Sequence, residues 1–160
     1  MAAEHRTANG LECFGYVPGV PQQSPEDDGP RYLDLAESER RKGNFDEAER
    51  ILLECIGECK QDSRYNVEEL RAHVKLGHVY REKQDFKRAT EEFQVAYDTY
   101  EDWMTEEERE LHPISYLNLW AECCERLAQP KKAEELRAEA KEMTERYQSF
   151  WEDSDEDSED

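Results

Sequence analysis

The chain has 160 residues, of which 41 are Asp or Glu and 21 are Lys or Arg, so its formal net charge is −20. This charge excludes bulk attraction to nucleic acid or to an anionic membrane, and the length allows one domain. No uncharged stretch is long enough for a membrane-spanning helix, and the first residues lack the pattern of a secretory signal. Five cysteines without an export signal favour reduced thiols, so we expect a cytoplasmic or nuclear protein.

The composition divides the chain into three segments. Residues 1–30 contain four of the seven glycines and four of the six prolines, so we predict a flexible, disordered N-terminal arm. Residues 31–150 are rich in Glu, Ala, Leu, Lys and Arg and show no strand-like alternation, which predicts an all-α domain. Residues 151–160 include seven acidic residues and no basic one, so we predict a disordered acidic tail.

Within the helical segment, the pattern predicts six helices in chain order, over residues 31–42, 46–60, 66–83, 86–102, 113–127 and 131–149. A short turn leads into the second, fourth and sixth helices. Asn44 and Asp85 can cap the second and fourth helices, and Pro130 suits the first turn of the sixth.

The three turns belong to an internal repeat. Each is followed by an alanine, and these alanines, Ala48, Ala89 and Ala133, are spaced by 41 and 44 residues. A small residue lies about twelve positions before each alanine, and a bulky and a small residue are expected four and seven positions after it. The small residues are Ala36, Gly77 and Ala121, and the later pairs are Leu52 with Cys55, Phe93 with Ala96, and Arg137 with Ala140.

This pattern resembles the tetratricopeptide repeat family, in which each unit is a hairpin of two helices, A and B. The second unit is the most similar, and the long spacing is closer to kinesin-light-chain repeats than to those of chaperone cofactors. The third unit departs, since Trp120 stands before Ala121 and Arg137 replaces a bulky apolar residue. The resemblance implies an all-α, right-handed solenoid of about three hairpins, with the third acting as a terminal cap.

In this family the A helices line a concave surface that binds peptides, so the resemblance assigns candidate binding residues. They are Leu33, Asp34, Glu37, Arg40 and Arg41 in the first unit, Arg71, Val74, Lys75, His78 and Arg81 in the second, and Asn118, Leu119, Glu122 and Arg126 in the third.

Three of these residues share one face of the third helix. Arg71, Lys75 and His78 are spaced at i, i+4 and i+7, which predicts a basic strip that favours an acidic peptide. The alternative is an ordinary solvated face, with Glu82 and neighbouring carboxylates cancelling the strip.

Some tetratricopeptide repeats bind the carboxylate of heat-shock chaperone tails with a clamp of basic and amide side chains. The corresponding residues here are Leu33, Glu37, Lys75, Ser115 and Leu119. Only Lys75 suits that role, and Glu37 would repel the carboxylate. We therefore predict that this chain does not bind chaperone tails.

Catalytic and metal sites are not predicted. None of the four histidines belongs to a metalloprotease motif, and no phosphate-binding glycine loop or nucleophile elbow occurs. A zinc site would need Cys55 and Cys59 to meet Cys123 and Cys124, which lie in the first and third units. Packing as small apolar side chains is the preferred interpretation, and no cofactor is expected.

The last helix leads into an aromatic and acidic sequence, Phe150-Trp151-Glu152-Asp153, which resembles the tryptophan-acidic peptides that kinesin-light-chain-like repeats bind. It could dock in this chain's own groove or in a partner's, or it could simply keep the chain soluble. Ser154 precedes further acidic residues and is a candidate site for acidophilic phosphorylation.

The function predicted from these features is a non-catalytic adaptor or scaffold that binds a peptide or a partner subunit in its groove. Two alternatives remain at this point. The chain could be an acidic escort, similar to a histone chaperone, whose tail shields a basic client. It could also be a small structural subunit of a larger assembly.

Overall fold

The computed structural model describes residues 28–103 and 113–155, and within them the side chains of residues 31–102 and 113–149. It contains six α-helices and a 3-10 helix over Ser63–Tyr65. The α-helices are α1 (Asp28–Arg41), α2 (Phe45–Cys59), α3 (Asn66–Glu82), α4 (Phe86–Trp103), α5 (Ile114–Arg126) and α6 (Pro130–Asp155). The described segments hold no strand, so the all-α prediction is confirmed, and none of their helices is long and apolar enough to cross a membrane.

Most of the predicted helix bounds agree with the structure to within three residues, because capping and turn residues mark them locally. The main difference is α6, which continues through Asp155 and so includes the first half of the predicted tail. Residues 28–30 of the predicted arm belong to α1. The remainder of the arm, residues 1–27, and residues 156–160 of the tail lie outside the described residues.

The three turns within the hairpins share one backbone conformation. The residue five positions before each repeat alanine has a positive φ, of 83° at Gly43, 63° at Gln84 and 57° at Ala128. In each turn the next residue donates its N–H to a carbonyl five residues earlier, at 2.9 Å, which is the Schellman geometry that ends a helix. The 41- and 44-residue spacing found in the sequence is therefore a true structural register.

After these turns, two of the three helices begin in the way that the sequence predicts. Asp85 Oδ1 accepts the Arg88 N–H at 3.3 Å, and α6 begins at Pro130. The predicted side-chain cap at Asn44 is wrong, although Asn44 does occupy the N-cap position. Its amide donates instead to Glu39 Oε2 at 2.8 Å, so the side chain is held by a carboxylate of the preceding helix and not by a backbone N–H of α2.

The helices pack as three successive hairpins, α1/α2, α3/α4 and α5/α6, and α1 also contacts α3. The repeat alanines Ala48, Ala89 and Ala133 are each at most 1% exposed. Gly77 in α3 faces Phe93 in α4, and a Cβ added at Gly77 would lie 2.6 Å from the Phe93 ring. The small residue on the A helix is thus required by the close approach of the two helices.

The third hairpin departs from the repeat where the sequence predicted. Arg137 is exposed and forms an ion pair with Glu125 of α5, while its neighbour Leu136 is buried against the core. Among the described residues no further helix covers this face of α6. A charged residue is stable here because it meets water, as expected for a capping unit.

Candidate functional site

A cavity of about 650 Å³ opens between the A helices α1, α3 and α5. Its volume is in the range typical of ligand-binding clefts. The A helices supply most of its lining, and the last helix, α6, supplies one aromatic residue. The lining residues are Glu37, Arg40, Leu70, Arg71, Val74, Lys75, His78, Ile114, Ser115, Tyr116 and Tyr147.

Three cations and one carboxylate lie around this cavity. Arg71 is exposed and pairs with none of the carboxylates that the structure describes. Lys75 Nζ lies 3.5 Å from Glu37 Oε2. Arg40 donates to Glu37 through Nε at 3.0 Å and through its terminal nitrogen at 2.6 Å, and it also forms an ion pair with Glu82. The lining therefore carries an excess of positive charge in a chain whose total is −20.

Glu37 is the carboxylate that holds two of these cations, Arg40 and Lys75, in place. The pKa of Glu37 is lowered to about 2, chiefly by the hydrogen bond from Arg40. The positive charge of Lys75 and a hydrogen bond from Arg41 act in the same direction, and partial burial opposes them. Glu37 is therefore ionised at neutral pH. It aligns Arg40 and Lys75, and it also cancels part of their charge.

His78 lies between the cavity and the core. Burial lowers its pKa, and the neighbouring positive charges of Arg40, Arg81 and Lys75 lower the pKa further. Its ring meets Phe93 edge-on, with centroids 5.9 Å apart. His78 therefore adds no positive charge near neutral pH, and the basic strip predicted on α3 consists of Arg71 and Lys75 alone.

The comparisons with known proteins agree with this architecture. Residues 31–102 match the family model described as tetratricopeptide repeat. The fold is similar to the crystal structure of the TPR domain of Arabidopsis FLU, with a TM-score of 0.65 and 14% sequence identity over 73% of this chain and 94% of that chain. Residues 31–102 carry tetratricopeptide repeats. No curated protein matches its sequence.

Of the residues predicted for the tetratricopeptide groove, six line the cavity: Glu37, Arg40, Arg71, Val74, Lys75 and His78. Arg81 and Glu122 lie outside it and bind each other at 3.0 Å, which joins α3 to α5. Arg126 stacks over the Phe86 ring at 5.6 Å. Arg81, Glu122 and Arg126 thus hold neighbouring helices together outside the cavity.

Five further predicted positions are not in the cavity lining, and one of them, Leu119, is partly buried against the core. Arg41, Asp34 and Asn118 are exposed on their helices, and Arg41 lies 3.2 Å from Glu37. The prediction that Leu33 lies on the open surface is wrong, because Leu33 is only 5% exposed. It precedes the buried Ala36 by three residues and so shares the helix face that packs into the core.

Sequence reasoning missed several residues of the cavity wall. Leu70 precedes Val74 by one helical turn, so the same-face rule could have found it. Ile114 and Tyr116 belong to the first turn of α5, whose position depends on the preceding linker. Tyr147 had no local signal, since its presence at the cavity depends on how α6 packs against α5.

The cysteines form no metal site among the described residues, where no group of three or more metal-ligating side chains occurs. Cys55 Sγ and Cys59 Sγ lie 4.0 Å apart inside the core. The hydrogen bond with Cys59 and burial both raise the pKa of Cys55, and burial raises the pKa of Cys123 to about 11. The Cys55 and Cys123 thiols are therefore protonated at neutral pH, and the buried cysteines pack as small apolar groups.

The candidate docking sequence Phe150-Trp151-Glu152-Asp153 lies in the last turns of α6, as does Ser154. Their side chains lie outside the described residues. The structure places the backbone of this sequence close along the chain to Tyr147, which lines the cavity.

Proposed function

We propose that this chain is a non-catalytic adaptor that binds an acidic peptide segment of another protein in the cavity on its A helices. Tetratricopeptide repeats are protein-interaction modules, which supports the general role. The observation that carries the finer proposal is the charge of the cavity. The cavity lining brings Arg40, Arg71 and Lys75 together with a single carboxylate, that of Glu37, although the chain as a whole is strongly acidic.

The lining also defines the shape of the ligand. Leu70, Val74 and Ile114 present apolar surface beside the cations. A peptide that places carboxylates on both sides of an apolar side chain would satisfy both kinds of surface. The apolar group supplies burial, and the carboxylates supply charge complementarity. Such a ligand would also be steered toward the cavity, since the surrounding surface repels it elsewhere.

The test uses two fluorescein-labelled synthetic peptides. In the acidic probe, Glu and Asp flank a single Leu, and in the neutral probe Gln and Asn replace them. We expect the full chain to bind the acidic probe and not the neutral probe in fluorescence anisotropy. The double variant Arg71→Glu/Lys75→Glu should lose at least about tenfold in affinity, because two attractive contacts become repulsive.

The matched control is Lys60→Glu/Lys131→Glu, which makes the same change in net charge at exposed positions outside the cavity. It should retain the affinity of the parent within about twofold, since exposed charges beyond a Debye length are screened. If both double variants weaken binding equally, total charge and not the cavity recognises the probe. If the chain binds basic peptides and not the acidic probe, the adaptor proposal falls and the acidic-escort alternative replaces it.

A third variant examines the carboxylate inside the cavity. Glu37→Gln removes the one negative charge of the lining while keeping the size of the side chain. We expect it to bind the acidic probe about threefold to tenfold more tightly, because Lys75 loses its carboxylate partner and Arg40 keeps only Glu82.

A further inference from the structure

One wall of the cavity and residues 150–155, the first part of the acidic segment, belong to the same helix, α6. Tyr147 of α6 lines the cavity, and the segment 150–160 follows only three residues later. Any part of this segment that leaves the helix therefore starts at the cavity wall. Because the segment is covalently linked to the cavity wall, its effective concentration at the cavity is on the order of millimolar.

The chemistry of this segment matches that of the cavity. Its first two residues are Phe150 and Trp151, and seven of the nine that follow are acidic. The cavity offers apolar surface and an excess of cations, among which Arg71 has no carboxylate partner in the described part of the chain. The segment has the same combination of apolar and acidic groups that the cavity would select in a partner.

The end of α6 also has an unfavourable charge arrangement. Its last turn contains no basic residue, and Glu152, Asp153 and Asp155 lie at the negative end of the helix dipole. Unwinding these turns removes an unfavourable charge arrangement, so it costs little. Once extended, the eleven residues 150–160 reach about 36 Å, which is ample to cross the cavity.

We propose that residues 150–160 of this chain occupy the cavity when no partner is bound and compete with the partner for Arg71 and Lys75. The segment is then an internal regulator of the peptide site, and this inference rests on the adaptor function proposed above. Phosphorylation of Ser154 would add negative charge to the segment and strengthen its hold on the cavity.

The first experiment detects occupancy in the full chain by amide NMR. The parent is compared with a tail-neutral variant, in which the seven carboxylates of residues 151–160 are replaced by the corresponding amides. We expect the amide signals of Arg71, Val74, Lys75 and His78 to shift between the two chains. Shifts confined to residues near the substitutions would overturn the proposal.

The second experiment measures competition with the acidic probe. The tail-neutral variant should bind the probe about tenfold more tightly than the parent, since a competitor at millimolar effective concentration has been removed. A charge-matched control carries seven neutralised carboxylates elsewhere and should change affinity by less than about twofold. These are the exposed residues Glu54, Glu91, Asp98, Glu101, Asp102, Glu134 and Glu135.

The outcomes separate this inference from the adaptor proposal. If the parent and the tail-neutral variant bind the acidic probe equally, the cavity functions as proposed but the segment does not regulate it. An equal gain in the charge-matched control also rejects regulation, because net charge then explains the effect. If neither chain binds the acidic probe, both proposals fail. Tight binding by the tail-neutral variant alone supports both.

Discussion

Gly77 is a position at which the packing of α3 against α4 leaves no room for a side chain. The Phe93 ring that faces it is fully buried, stacks on Tyr116 with centroids 6.0 Å apart, and meets His78 edge-on. The ring therefore has little room to move away from a methyl group at Gly77. The glycine is explained by packing between α3 and α4 and not by its backbone angles.

We expect Gly77→Ala to lower the free energy of unfolding by about 1 to 2 kcal/mol. Overpacking costs about 1 to 3 kcal/mol, and the higher helix propensity of alanine offsets up to about 1 kcal/mol. Urea-induced unfolding followed by circular dichroism measures the difference. The control is Gly57→Ala in α2, where an added Cβ meets no atom within 4 Å. It should raise stability by about 0.5 to 1 kcal/mol. Changes of the same sign in both variants would contradict the packing explanation.

At the scale of single residues, the repeat pattern already contained the Gly77 and Phe93 pair, because small and bulky residues recur at fixed positions. The side-chain partner of Asn44 and the charge state of His78 were not predictable. Both depend on which groups the folded backbone brings within a few ångströms. Residue preferences predict that Asn44 suits an N-cap position, but the nearby Glu39 carboxylate determines what its side chain binds.

Between elements, Glu37 connects α1 to α3. Its contacts with Arg40 and Arg41 follow helical spacing within α1, whereas its contact with Lys75 crosses to the next A helix. Arg40 makes a second crossing to Glu82. The local pairs could be read from the sequence. The crossing pairs could not, since they depend on the distance between two repeats.

The lowered pKa of Glu37 makes stability depend on pH. The group has a pKa of about 2 in the folded chain and 4.5 when unperturbed, so it stabilises the fold fully above pH 4.5. This contribution is lost as the pH falls toward about 2. We expect Glu37→Gln to lower the unfolding free energy by about 1 to 2 kcal/mol at pH 7 and to have little effect near pH 2.

Urea unfolding across this pH range provides the measurement. Glu134→Gln is the control, at an exposed carboxylate without an ion-pair partner among the described residues. It should change stability by less than about 0.5 kcal/mol at every pH. An equal loss for Glu37→Gln at pH 2 and at pH 7 would show that its charge is not the cause.

For the whole molecule, the decisive contacts are those that join one hairpin to the next. Phe93 stacks on Tyr116, and Tyr97 packs against Trp120 with centroids 6.2 Å apart, so aromatic rings fill the boundary between α4 and α5. In repeat proteins such boundaries transmit cooperativity, because each hairpin is only marginally stable alone. Tyr116 also lines the candidate cavity, which makes the same ring part of the core and of the site.

The contribution of Tyr116 should come from its ring and not from its hydroxyl. The hydroxyl is buried and has no hydrogen-bond partner in the described part of the chain. Tyr116→Phe should therefore be neutral or stabilise by up to about 1 kcal/mol. Tyr116→Ala should cost about 3 to 5 kcal/mol and lower hydrogen-exchange protection in α5 and α6 more than in α1 and α2. A uniform loss of protection in all helices would indicate a single cooperative unit.

The sequence by itself determined the six helices, the three short turns within the hairpins and the repeat register marked by Ala48, Ala89 and Ala133. These features are set by interactions within a few turns of chain, so local spacing reports them. Only the tertiary structure decided which cations gather at the cavity, and that Tyr147 lines it. Arg40, Arg81 and Lys75 look alike in sequence, but each is assigned to a carboxylate on another helix. Charge pairing depends on distances between repeats, and only packing fixes those distances.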